Sequence, residues 1–162
     1  MPDKGKGKAK KKAPPRWSMC PKLHDGVSRL LEEEDLFFDF HTADDAKNCV
    51  KDYDTNVMGR FPCRNPKCSS DGWSSKRIAV TIRMYAGAQY NVRVYHQCCL
   101  QCNRLSRPVL DSSSYAERTA YRLKKWCGIQ MEAPPYNEGE GPPHHKNLCE
   151  GCKAGHCIEL RY

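Results

Sequence analysis

Lys76-Arg-Ile-Ala-Val-Thr-Ile-Arg-Met-Tyr85, Ala86-Gly-Ala88 and Gln89-Tyr-Asn-Val-Arg-Val-Tyr-His96 follow one another without a gap. In the first run Ile78, Val80, Ile82 and Met84 alternate with Arg77, Ala79, Thr81 and Arg83, and in the third Tyr90, Val92 and Val94 alternate again. A period of two is the mark of a strand, and Gly87 supplies a turn residue between the runs, so the stretch predicts an antiparallel hairpin. Cysteines stand at both ends of it. Cys63 and Cys68 precede the first strand, and Cys99 and Cys102 follow the second.

A hairpin brings its two ends side by side. Two thiolates a few residues apart in a turn form one edge of a tetrahedron, and a second such turn forms the opposite edge, which is the donor set zinc prefers. Cys63, Cys68, Cys99 and Cys102 are therefore predicted to hold one zinc ion in a zinc-ribbon-like site. A third cluster, Cys149-Glu-Gly-Cys152 with Cys157, predicts a second ion. His144 is the proposed fourth ligand there, with His145, His156 and Cys127 as rivals. Gly151 and Gly155 suit turns that aim backbone amides at sulfur. Cys20, Cys49 and Cys98 lack a partner at ligand spacing and read as ordinary thiols. Four protein ligands close a zinc site, and closed sites are structural.

The remaining composition agrees with a metal-stapled core. Leu, Ile, Val and Phe are sparse for 162 residues, and charged residues make up 28% of them, so apolar burial alone predicts a thin interior. Residues 1–16 hold no apolar run of the signal-peptide kind, and no stretch is long and apolar enough to span a membrane. An odd count of eleven cysteines also fits poorly with full disulfide pairing. The expectation is a cytoplasmic or nuclear protein with reduced thiols.

The formal charge of +8 divides into +6 over residues 1–16, −6 over 17–57 and +8 from residue 58 on. The lysine-rich residues 1–16 predict a disordered arm. Residues 17–57 predict a helical, acidic accessory segment. Its apolar stripe includes Val27, Leu30, Leu31 and Phe38, and Asp44 caps a second short helix through Ala46, Val50 and Tyr53. Residues 58–160 form the zinc-binding domain, with a later helix capped at Ser112–Ser114 and a loop through Pro134-Pro135 and residues 139–143. The fold class expected is α+β: a small zinc-stabilised domain with an antiparallel hairpin core, helices and a basic N-terminal arm.

The ordered clusters resemble the 3CxxC-type zinc finger family, which includes the zygote arrest and receptor-transporting proteins. The matching stretches are Gly59-Arg-Phe-Pro-Cys63 with Cys68, Trp73-Ser-Ser75, Tyr95-His-Gln-Cys-Cys-Leu-Gln-Cys102 with Asn103, and Pro143-His144 through Cys149-Glu-Gly-Cys152 to Cys157. Across residues 58–160, and in Lys124-Lys-Trp-Cys-Gly128, the run is especially similar to the fungal single-domain members. Cys63 and Cys68 depart from the family's name by having four residues between them, a spacing zinc still accepts.

Two functions follow as expectations. The zygote arrest relatives bind RNA, and the basic zinc domain offers Arg77, Arg83 and Arg93 beside Tyr85, Tyr90 and Tyr95, cations for phosphate and rings for unstacked bases. The alternative, suggested by the receptor-transporting relatives, is a protein-interaction or chaperone-like adaptor docking through the acidic, phenylalanine-rich residues 27–40. No apolar tail follows Cys157, unlike the membrane-anchored receptor-transporting proteins. An enzyme is not expected, since the zinc deaminase signature, a phosphate-cradling glycine loop and a nucleophile elbow are all missing. Oligomeric state is not legible from the sequence.

Overall fold

A computed structural model describes residues 15–132 and 144–157. The expected arm up to residue 14, and the predicted loop through Pro134-Pro135 and residues 139–143, lie outside the described residues. In chain order the elements are β1 (Trp17–Ser18), a 3-10 turn (Pro21–Leu23), α1 (His24–Glu32), β2 (Asp39–Phe40), β3 (Lys51–Phe61), β4 (Trp73–Tyr85) and β5 (Gln89–Tyr95). After these come β6 (Gln97–Cys98), β7 (Leu105–Ser106), β8 (Val109–Leu110), α2 (Ser112–Trp126) and the single turn α3 (Glu150–Lys153). The class is α+β, as expected.

The predicted hairpin is the centre of the sheet. β4 and β5 pair antiparallel with Val80 opposite Val94 and Ile82 opposite Val92, and Gly87 carries the turn at φ 81°. The strands run in the order β1-β5-β4-β3-β8, with β2 joining the β5 edge in parallel. Ile78, Val80 and Ile82 with Tyr90, Val92 and Val94 are fully buried, packed with Val27 and Leu31 of α1 and Tyr115, Ala120 and Leu123 of α2. The α2 cap is one residue earlier than the serines. The Asp111 carboxylate accepts the Ser114 N–H at 2.8 Å, which leaves the Ser114 hydroxyl to accept the Met58 N–H at 3.0 Å and tie the helix to β3.

The structure corrects the helical reading of residues 17–57. α1 stops at Glu32, where a run of acids at the negative end of the helix dipole opposes extension. Asp35 turns the chain away at φ 54°. The second helix does not form. The Asp45 carboxylate accepts the Lys47 and Asn48 N–H groups in a turn, and residues 51–61 are a strand. Tyr53, Thr55 and Val57 stand opposite Ile82, Val80 and Ile78, so a period of two wins there over the helical spacing of Ala46, Val50 and Tyr53. The expected boundary between residues 57 and 58 thus falls inside β3.

The second face of the hairpin is covered too. Ala79, Thr81 and Arg83 are buried on it with Tyr85 and Tyr95, while Tyr90 is buried on the first. Arg83, 3% exposed, meets the Asp44 carboxylate at 2.6 Å, and Arg93 meets the same carboxylate at 2.8 Å while lying over the Trp17 ring at 4.4 Å. The Tyr85 hydroxyl donates to the Asp45 carbonyl. These tyrosines are therefore core, and these two arginines are structural cations, not a stacking and phosphate-binding face. Burial works against ionisation of Asp44, but Arg93 and Arg83 outweigh it and hold the carboxyl below 3.8.

Asp44→Asn leaves Arg83 buried beside a neutral partner. We expect a loss of about 2–3 kcal/mol in urea unfolding at pH 7, less than for a wholly enclosed pair because Asp44 is partly open to water. A folded pKa below the unfolded one makes the pair's contribution complete above pH 3.8 and lost as pH falls through the depressed value.

Candidate metal centres

Two groups of donors come together. In the first, the loop between β3 and β4 delivers Cys63 and Cys68, and the loop between β6 and β7 delivers Cys99 and Cys102, with all four sulfurs within 4.8 Å of one another. Cys63 and Cys102 are 3.6 Å apart, and Cys68 and Cys99 are 3.9 Å apart. Four sulfurs at tetrahedral angles, each bonded to one zinc, lie about 3.8 Å apart, so the cage fits that ion. No two of the eleven cysteines are joined as a disulfide.

The second group is His144, Cys149, Cys152 and Cys157. The His144 Nε2 lies 3.2 Å from the Cys152 sulfur and 3.5 Å from that of Cys157. A nitrogen and a sulfur on one tetrahedral zinc stand about 3.5 Å apart. Cys149 is the cap of α3, its sulfur accepting the Cys152 N–H at 3.4 Å. The rivals for the fourth place are elsewhere. His156 turns its Nδ1 to the Asp54 carboxylate at 3.2 Å and stacks on Tyr95, Cys127 is exposed at the end of α2, and His145 is exposed outside the cluster. Cys20, Cys49 and Cys98 also stand outside both groups.

The thiols show what the cages require. Sulfurs this close cannot all become anions without a cation among them, so one proton leaves easily and others are held. The Arg104 N–H and then the Asn65 side chain lower Cys102 to about 6. Cys63 moves the other way, to about 12: the Asn65 N–H opposes this, but lost hydration and the three other sulfurs prevail. In the second cage, hydrogen bonding from Cys157 outweighs burial and, with His144 and the Cys152 N–H, lowers Cys149 to about 4. Burial and the Cys149 charge raise Cys152 to about 11. A divalent ion replaces the retained protons.

A family model described as a zinc-binding domain, the 3CxxC zinc ribbon, matches residues 56–155. The chain belongs to this zinc-ribbon family. No curated protein and no solved structure matches it. The family's metal and the two donor groups together make this a protein of two zinc sites.

The zinc ribbon's two centres are joined through backbone, a link with no counterpart in residue spacing. Gln97 forms a β-bridge with Cys149, the Cys98 N–H donates to the Leu148 carbonyl at 2.9 Å, and the Glu150 N–H donates to the His96 carbonyl at 3.0 Å. The second centre sits directly on the sheet. Cys149, Cys152 and Cys157 pack with Ala79 and Tyr95, and a Cβ on Gly151 would lie 2.6 Å from the Cβ of Ala79.

Three outcomes follow. The purified protein carries two zinc ions per chain by atomic absorption, and a strong chelator abolishes its native dichroism. Acid releases both ions, since protons compete for thiolate, and an indicator dye should show most of the metal freed below about pH 5. Gly151→Ala forces β4 and α3 apart, so it costs about 1–3 kcal/mol in denaturant and weakens retention of the second ion more than the first.

Proposed function

We propose that the protein binds single-stranded nucleic acid, RNA in preference to DNA, on the surface around its first zinc centre. The observation that carries the reading is a hollow of about 170 Å³ beside Cys63, onto which Arg64, Arg104 and Arg107 converge and which no carboxylate lines among the described residues. All three arginines are exposed. A four-thiolate zinc centre has a net charge of −2 and attracts cations in its own right. That charge accounts for two arginines, and Arg107, with the exposed Lys67 of the β3–β4 loop, is then surplus. Arginine in such a group suits phosphate, which it can bind through two N–H groups at once. The resemblance to the RNA-binding zygote arrest proteins favours RNA.

Zinc is structural and not catalytic in this reading. Four protein donors surround each site, which leaves no coordination position for a water to be activated. The protein works in the cytoplasm or nucleus, where its thiols stay reduced. Among the described residues no helix is long and apolar enough to cross a membrane. The adaptor alternative has less support: of the apolar residues in 27–40, Val27, Leu31 and Phe38 are buried in the core, Phe40 is partly buried, and Phe37 is 69% exposed.

The test is titration of a labelled single-stranded RNA with the zinc-loaded protein at several salt concentrations. Affinity should fall steeply with salt, and replacing Arg64, Arg104 and Arg107 together by Ala should reduce the log–log slope by about 2. Absence of binding at low salt would refute the reading.

A further inference from the structure

A cleft of about 280 Å³ separates the two zinc centres, lined by Cys99 of one and His144 of the other. We propose that it receives one unpaired nucleobase of the bound strand, an inference that rests on the nucleic-acid reading above and gives it a chemical address.

One wall is Trp73, half-buried, its indole held by stacking on Phe61 with centroids 5.1 Å apart and planes 17° from parallel. The ring is pre-set and carries no conformational freedom into the complex, which is what a stacking platform needs. Beside it, Gln97 lines the cleft at 8% exposure. Its Oε1 accepts the Trp73 Nε1–H at 3.5 Å, and its Nε2 has no hydrogen-bond partner among the described residues. A buried amide donor without an acceptor is costly, and a small turn of the Gln97 side chain toward the cleft brings it to a base carbonyl, whereas an aliphatic side chain in the same place would not meet that need. Lys76, exposed, also lines the cleft, and among the described residues no carboxylate does, so a phosphate flanking an inserted base meets positive charge. The backbone link between Gln97 and Cys149 holds the two walls in register. The volume suits a single flat ring, and a duplex with its bases stacked inside cannot use it.

The experiment compares a uridine octamer with an octamer of the same ribose-phosphate backbone lacking bases, each titrated against the full zinc-loaded chain. Binding of the uridine octamer should be about tenfold tighter. Ser74 is exposed on the rim of the cleft, and Ser74→Ile, which narrows it without removing packing, should erase that tenfold difference and leave affinity for the baseless strand unchanged. Independently of any variant, the Trp73 indole N–H resonance should shift with the uridine octamer and not with the baseless one. Equal affinity for the two strands with an unmoved indole resonance overturns the base site and leaves backbone binding standing. Failure of both strands to bind at low salt overturns the base site together with the reading beneath it.

Discussion

Seven sulfurs and one imidazole nitrogen, drawn into two groups, are a repulsive arrangement until a divalent cation sits among them. The loops that carry them contribute few apolar side chains to the main core, which gathers between the sheet and its two helices. Zinc in a structural site supplies an apparent 10–16 kcal/mol, roughly the whole net stability of an ordinary domain. The metal is therefore not an ornament on a finished fold. It holds the loop of residues 149–157 against Ala79 and Tyr95, and that loop completes the burial of the sheet's second face.

Electrostatics follows from that burial. The acidic residues before Met58 and the basic ones after it look like separate blocks along the chain, yet they interleave in space. Asp44 joins Arg83 and Arg93, and Asp54 accepts from Thr81 and meets His156. Each pairing withdraws charge from the outer surface. Zinc loading withdraws more: four thiolates with Zn²⁺ make −2, three with a neutral imidazole make −1, and the formal +8 becomes +5. The arginines around Cys63 keep their exposure through this accounting, so the positive field is concentrated at the first centre rather than spread over the hairpin.

The hairpin was legible because both strands alternate and Gly87 stands where a left-handed turn is needed. The seven ligand cysteines were legible from turn spacing alone. Spacing could not separate His144 from its neighbour His145, since both arrive on the same loop; only the approach of Nε2 to two sulfurs does so. β3 was misread because Ala46, Val50 and Tyr53 satisfy a helical period while Tyr53, Thr55 and Val57 satisfy a strand period, and the deciding partner, β4, lies a loop away. Tyr95 and Arg83 looked available for the same reason. Their cover comes from Cys149–Cys157 and from Asp44, remote segments that leave no local trace in a strand's own alternation.

The bridge between Gln97 and Cys149 gives the two centres a shared fate. Cys99 follows β6 directly, so whatever fixes β6 also fixes half of the first cage. The second cage fixes Leu148 and Glu150, whose backbones hold Cys98 and His96. Metal bound at one end thus reduces the conformational freedom left to be lost at the other, which is the condition for positive coupling between two sites without any contact between the ions. A surface built on that joint inherits its rigidity. This is why a shallow, charged region of a thin-cored protein can present an indole, an amide and a row of cations in fixed relation to one another.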